Sequence, residues 1–340
     1  MNPGIEINVG IRVYAATFSA GGEYLLSGDE GGVRVWRVED GEKMATMEAR
    51  NVRCLAVSND GRWIAAGTAG DGVFVWNAQT FEKDVSHRVN YIGGVDFSPD
   101  STRLVSASDN QIVSIWDIAT RKLVQTLDYG GWVGAAKYSP QGDRIATATE
   151  DSVRVWDSND GRLLKHIRVT VTPWHNTGLL WFINHLLVVS DSTIKQFEAS
   201  TGSSVSEWPV PDSTPFSCIA QPKHGGFVAY STRRTVTFWD TATQTQLGLI
   251  QHPQDIRSIA VSPDDRFLAI GGDHGKITIN ILPRIIVSIL SHCTGAYQQL
   301  SCSDRFSLVY TPHSRNQTFA STTSPSTLGS IISSRTRKLY

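Results

Sequence analysis

A large apolar residue returns about every 40 residues along this 340-residue chain. Repetition at such a period is typical of proteins built from equivalent structural units. Four tryptophans are each separated by 40 residues, and the same position then recurs after intervals of 41, 42 and 40. The positions are Trp36, Trp76, Trp116, Trp156, Phe197, Trp239 and Ile279. The sequence therefore predicts seven units.

A second series of residues keeps the same period. The last apolar residue before a turn is Phe18, Val57, Phe97, Tyr138, Trp181, Ala220 and Val261. Several of these are followed by Ser-Pro-Asp or Ser-x-x-Gly, which favour turns because Pro presets φ and Ser and Asp bond nearby backbone. Short alternating runs such as RLVSAS, SIWDI and KLVQTL surround the turns and are typical of strands. Each unit is predicted to contain four strands, named a to d in chain order.

Four-stranded units of this kind favour one architecture. A single sheet cannot bury both of its faces, but sheets repeated about an axis cover one another and leave only short edges. The predicted fold is therefore all-β, a β-propeller of seven blades. The recurrent tryptophan lies on strand c and fills the wedge between neighbouring blades, where full burial of its ring contributes about 2 to 3 kcal/mol.

The same residues resemble the WD40 repeat family, in which strand c ends in Trp-Asp. That dipeptide stands here at 116–117, 156–157 and 239–240. The resemblance implies a seven-bladed WD40-type propeller over residues 4–290, followed by a short irregular tail, and the texture is also similar to the expanded WD-repeat proteins of fungi. The family's hydrogen-bond chain of His, Ser, Asp and Trp is incomplete, since the seventh unit has His252 but Ile279 in place of Trp.

Two segments compete to complete the last blade. Ile5-Glu6-Ile7 alternates and stands at the right distance before Phe18, whereas Ile286 and Leu290 stand at the right distances after Ile279. The second segment pairs locally with less loop entropy, and the first ties the two ends of the ring together. We expect closure by the N-terminal segment, as the resemblance implies.

A ring of candidate partner-binding residues comes from aligning the seven a strands. The side chains that flank the inward apolar residue at the start of each strand are expected to face one rim of the central channel, and WD40 relatives commonly contact proteins there. Tyr, Trp and Arg are also the residue types that dominate interfaces. An alternative is that some of these aromatics only close the channel mouth. The candidates are Arg12, Tyr14, Asn51, Arg53, Tyr91, Trp132, His175, Phe216, Asp255 and Arg257.

Other site classes gain no support from the sequence. The net charge of −1 gives no overall basic field for nucleic acid or membranes. The nine histidines and four cysteines lack metal-ligand or redox spacing. GGDHGK at 271–276 fails the phosphate-loop pattern and is expected to be a turn. We predict no catalytic site, no metal or other cofactor, no small-molecule substrate and no nucleic-acid partner.

The function expected from these observations is a noncatalytic scaffold that binds one or more proteins or peptides through the propeller rim. The alternatives are a recognition fragment of a larger fungal receptor or repeat protein, and an enzyme-type propeller. A ubiquitin-ligase substrate receptor is less favoured, because the three Trp-Asp pairs lack the Arg two positions later that the resemblance would require.

The chain ends predict location and order. The N-terminus has no signal-peptide pattern and no apolar run approaches the ~18 residues of a membrane span, so a cytoplasmic protein is expected, with the nucleus left open. Residues 291–340 are rich in Ser and Thr and carry basic residues with a single acid, Asp304. This composition predicts a disordered tail.

Overall fold

A computed structural model describes residues 4–171, 178–190, 193–210, 218–222 and 225–282. The chain divides into two units, 1–297 and 298–340, and all described residues belong to the first. The predicted tail at 291–340 and the competing closure segment at 286–290 lie outside the described residues. The described ranges contain strands and turns, and no helix capable of crossing a membrane is found among them.

The described strands form seven antiparallel sheets of four strands each, so the predicted all-β propeller with seven blades is confirmed. Blades 1 to 6 each consist of four consecutive strands. In chain order the strands are β1 Ile5–Asn8, β2 Val13–Phe18, β3 Tyr24–Asp29, β4 Gly32–Arg37, β5 Lys43–Met47, β6 Val52–Val57, β7 Trp63–Thr68, β8 Val73–Asn77, β9 Lys83–His87, β10 Ile92–Phe97, β11 Arg103–Ser108, β12 Ile112–Asp117, β13 Lys122–Asp128, β14 Ala135–Tyr138, β15 Arg144–Ala148, β16 Ser152–Asp157, β17 Leu163–Arg168, β18 Leu179–Phe182, β19 His185–Ser190, β20 Thr193–Glu198, β21 Ser204–Pro209, β22 Ile219–Ala220, β23 Phe227–Ser231, β24 Thr235–Asp240, β25 Gln246–Gln251, β26 Ile256–Val261, β27 Phe267–Gly272 and β28 Lys276–Ile281.

Blade 7 is completed by the other end of the chain. It has the order β1-β28-β27-β26, and β1 pairs antiparallel with β28 so that Ile7 lies opposite Ile277. Ile7 is buried, and Glu6 on the outer side forms an ion pair of 2.8 Å with Lys276. The expected N-terminal closure is confirmed.

Among the described residues the hydrophobic core forms seven clusters, one in each wedge between neighbouring blades. The cluster between blades 2 and 3, for example, joins Val73 and Val75 to Val95 and Trp116. The cluster between blades 7 and 1 joins Ile277 to Val13 and Trp36 and so seals the ring. Each blade buries its apolar side chains against its two neighbours, and an isolated sheet would expose the same side chains.

Strand c carries the recurrent large residue as a wedge filler in most blades. Trp36, Trp116 and Trp156 are buried, and each donates its indole N–H to a hydroxyl on strand b, on Ser27, Ser106 and Thr147 respectively, at 2.8 to 3.0 Å. Trp76, Phe197 and Ile279 are buried as well. Trp239 in blade 6 is only half-buried, and the preceding Phe238 is 1% exposed.

Candidate functional site

The inner strands of four blades are bulged near their first residue. The register of strand a on strand b shifts between Val13 and Ala15 in blade 1, and at the same place in blades 2, 3 and 7. A bulge leaves one residue unpaired and re-aims its side chain. The bulged residues are Tyr14, Arg53, Gly93 and Arg257.

In blades 1, 2 and 7 the bulge separates a buried residue from a more exposed one. The apolar residue before it, such as Val13 or Val52, is fully buried in a wedge. Tyr14 and Arg53, by contrast, line a cavity whose walls come from the a strands of six blades. This cavity is therefore the central channel, and Tyr14 and Arg53 lie at one end of it, which we call the mouth.

Tyr14 and Arg53 form the centre of the mouth. The Arg53 guanidinium lies over the Tyr14 ring, 3.8 Å from its centroid. The Tyr14 hydroxyl donates to a Glu30 carboxylate oxygen at 3.1 Å and accepts a long hydrogen bond of 3.4 Å from Arg12. These contacts hold the phenol ring and the guanidinium in fixed orientations, because a stacked Arg loses most of its side-chain freedom.

An ion pair across the closure of the ring extends the mouth to blade 7. Asp273 receives two hydrogen bonds from Arg257, at 2.5 and 2.7 Å, and a third contact from Arg12 at 2.7 Å. Burial alone would raise the pKa of Asp273, but the hydrogen bonds and charge of Arg257, with the charge of Arg12, hold this pKa below its ordinary value. Asp273 is therefore ionised at neutral pH and bridges the first and last blades.

Asp255 lies in the connection between blades 6 and 7 and pairs with two arginines of blade 6. Its two carboxylate oxygens accept hydrogen bonds from Arg233 at 2.6 Å and from Arg234 at 2.8 Å. The hydrogen bonds from Arg233 and Arg234 lower the pKa of Asp255. Both arginines are exposed, so this pair is a solvated contact that contributes little to stability.

The remaining sequence candidates lie in different surroundings. Tyr91 is half-buried, and burial raises the pKa of its phenol. Asn51 has a left-handed φ of 54°, and its backbone carbonyl accepts from Ala69. Trp132 lines a separate cavity of about 400 Å3 between blades 3 and 4. In this cavity the Arg154 guanidinium stacks on the Tyr129 ring. His175 and Phe216 lie outside the described residues.

Sequence reasoning missed the partners on the turns between strands b and c. Glu30, Asp273, Arg233 and Arg234 all follow the end of a b strand within a few residues. The turn between strands b and c lies at the same end of the blade as the start of strand a. Extending the alignment of the repeats to these turns would therefore have found the positions.

The mouth is narrow on the side of blades 3 and 4. A Cβ added at Gly93 would lie 2.9 Å from the Gly134 Cα and 3.0 Å from the Val133 carbonyl oxygen. Backbones that approach this closely leave room only for glycine. The large side chains of the mouth are therefore concentrated on blades 1, 2 and 7.

The channel below the mouth has a volume of about 290 Å3 and is lined by both polar and apolar residues. Lys137 lies 3.5 Å from Asp96, and the other oxygen of that carboxylate accepts the backbone N–H of Tyr138 at 2.9 Å. Cys54 and Cys218 are free thiols in the channel wall, and burial raises the pKa of each to about 12. Neither thiol is a nucleophile at neutral pH. Among the described residues no group of metal-ligating side chains is found.

Comparison with known proteins identifies related sequences. The family pattern described as "WD domain, G-beta repeat" matches residues 9–37, 41–77, 80–117, 121–157 and 244–279. WD repeat-containing protein 1 of Bos taurus is 27% identical over 214 residues, which is 57% of this chain and 35% of that protein.

Two further relatives differ in kind. Small ribosomal subunit protein RACK1y of Oryza sativa subsp. japonica is 27% identical over 147 residues, 40% of this chain and 44% of that protein. Transcriptional corepressor LEUNIG_HOMOLOG of Arabidopsis thaliana is 22% identical over 277 residues, 67% of this chain and 35% of that protein. The matched part of this chain thus spans less than half the length of each of these relatives.

Proposed function

This chain belongs to the WD40 repeat family, and we propose that it acts as a noncatalytic protein-interaction platform whose partner binds at the mouth of the channel. The proposal extends to a cytoplasmic location. If the chain is a recognition module of a larger receptor or repeat protein, the proposed binding function is the same, and only the protein that carries the module differs.

The observation that carries the proposal is the cluster of Arg12, Tyr14, Arg53 and Arg257. These are large side chains with both apolar area and polar groups; the last three lie at backbone bulges, and all four are held by stacking, hydrogen bonds or ion pairs. Ordered Tyr and Arg side chains lose little entropy when a partner covers them, and desolvation strengthens their contacts. A surface of this kind is suited to binding a protein segment rather than to chemistry.

The relatives support the same proposal. One is named as a subunit protein of the ribosome and another as a transcriptional corepressor. Both names describe proteins that work with other macromolecules. Binding through a repeat surface is therefore the activity we carry over to this chain.

The test compares variants that each remove one side chain of the predicted rim. Arg53→Ala and Tyr91→Ala are each expected to weaken partner binding by more than about 1 kcal/mol, roughly fivefold, while the melting temperature stays close to that of the wild type. Quantitative affinity purification with mass spectrometry identifies proteins that co-purify with the wild type, and titration calorimetry then measures the affinity of a purified partner. Trp132→Ala extends the same test to blades 3 and 4.

Arg62→Ala is the matched control. Arg62 is exposed on the turn between strands a and b, at the opposite end of the blade, and pairs only with neighbouring Asp60. It removes the same charge and the same side-chain length as Arg53→Ala. A partner that binds both arginine variants equally well would place the interface away from the mouth.

A further inference from the structure

The described residues that line the central channel include two cations, Arg53 and Lys137, and no carboxylate. Two carboxylates in the described part of the chain contact this lining from outside: Asp96 pairs with Lys137, and Glu30 accepts a hydrogen bond from the Tyr14 hydroxyl. Asp96 is itself largely satisfied, because one oxygen accepts a backbone N–H, and burial raises its pKa. A concave site lined by cations favours an anionic occupant, because its low-dielectric walls focus the field of those charges.

Arg53 differs from its neighbours in having no acidic partner among the described residues. Arg12 and Arg257 pair with Asp273, and Arg234 pairs with Asp255. The Arg53 side chain rests on Tyr14, and its Nε–H is buried without a hydrogen-bond acceptor. A buried donor without an acceptor is destabilising, and an oxyanion within reach of the guanidinium would supply an acceptor.

Two other groups in the channel complement such an occupant. Lys137 has three N–H donors and makes one ion pair, at the long distance of 3.5 Å. The Gln221 side chain donates its amide N–H to the Trp181 carbonyl, while its buried Oε1 accepts no hydrogen bond. A hydroxyl on the occupant would supply the missing donor.

We propose that the channel is a binding site for a small oxyanion, a phosphate or carboxylate group with a protonated or hydroxyl oxygen nearby, with Arg53 and Lys137 as its cationic contacts. The volume of about 290 Å3 is at the lower end of small-molecule sites and admits one such group with a short substituent. The site does not depend on the mouth binding a protein. The oxyanion belongs either to a free small molecule or to an acidic or phosphorylated side chain of a partner.

The test uses inorganic phosphate, pyrophosphate and succinate as probes, titrated into the full chain by calorimetry at constant ionic strength. At least one probe is expected to bind saturably with one site per chain. Arg53→Gln and Lys137→Met are each expected to weaken its apparent Kd about fivefold or more, and Arg62→Gln to leave it within about twofold. Lys137→Met keeps the test decisive if Arg53→Gln proves unstable.

A competition experiment assigns the source of the oxyanion. A phosphoserine peptide that displaces the bound probe, where its unphosphorylated form does not, indicates a partner side chain; displacement by free anions alone indicates a small molecule. Both results support the site. It is overturned if no probe binds saturably to the wild type, or if binding falls equally in Arg62→Gln, which would show only nonspecific attraction. The two proposals can fail separately. Probe binding that stays intact in Lys137→Met would reject the oxyanion site. Loss of protein binding in Arg53→Ala would still support the interaction platform.

Discussion

Two histidines packed within the blades link stability to pH. The His87 ring stacks on Trp116 with their centroids 3.7 Å apart and their planes 13° apart. His252 is buried, with Nδ1 2.9 Å from the Gln254 carbonyl oxygen and no hydrogen-bond partner for Nε2. Burial lowers the pKa of both rings. The native state therefore favours neutral histidines.

We predict that the protein loses stability as the pH falls through about 6.5, the ordinary histidine pKa, and on towards the lower pKa of the folded state. The unfolded chain takes up protons in that range more readily than the native state does, so the free energy of unfolding declines as pH falls. Asp255 and Asp273, whose pKa values are lowered, contribute stability above their ordinary pKa near 3.9 and lose it only below that range. Urea denaturation at pH 7.5 and 5.5 measures the effect.

The variant that checks the assignment is His87→Gln combined with His252→Gln. Its free energy of unfolding is expected to change less between the two pH values than that of the wild type, whatever its absolute stability. His274→Gln, which replaces an exposed histidine on a turn, serves as the control. An unchanged pH dependence in the double variant would contradict the role of these two rings.

Among the strands, the recurrent position on strand c does not carry equal weight in every blade. Trp116 is 9% exposed, bonds Ser106 and stacks on His87, whereas Trp239 is half-buried and bonds only Thr237 on its own strand. We predict that Trp116→Ala lowers the free energy of unfolding by about 3 to 5 kcal/mol and Trp239→Ala by about half as much. Trp132→Ala is expected to cost less than about 1 kcal/mol.

Denaturant unfolding of the three alanine variants under one set of conditions decides this prediction. Equal losses for Trp116→Ala and Trp132→Ala would contradict the division between the wedge on strand c and the surface before strand a. The period predicts where each strand c carries its large residue, because the pattern is local in sequence. It does not predict the partial exposure of Trp239, which depends on the neighbouring blade and on Phe238 filling the opposite wedge.

For the whole ring, the sequence predicts the number of blades because two independent landmark series share one period. It also predicts Tyr14 and Arg53 as candidates, since the alignment places them beside a buried apolar residue. It does not predict their stacking, because the two residues come from different blades and meet through bulges that depend on strand pairing. The Asp273 bridge is equally hidden, since it joins opposite ends of the chain.

Ring closure rests on β1, and adjacent residues of that strand allow a sharp test. Ile7 is 5% exposed in the cluster between blades 7 and 1, whereas Glu6 points outward to Lys276. We predict that Ile7→Asn lowers the free energy of unfolding by about 2 to 4 kcal/mol, because it removes apolar burial and places an amide in the wedge. Glu6→Gln is expected to cost about 0.5 kcal/mol or less, as for other exposed ion pairs.

Deletion of residues 1–8 tests the role of the whole β1 strand in closing the ring. Without β1 the outer edge of β28 loses its partner and the wedge between blades 7 and 1 loses Ile7, so the melting temperature is expected to fall by several degrees or folding to fail. Truncation after Leu282 removes no described strand and is expected to leave the melting temperature close to that of the full chain. Calorimetry of both truncated chains checks the prediction, and the reverse order of stabilities would show that a C-terminal segment closes the last blade.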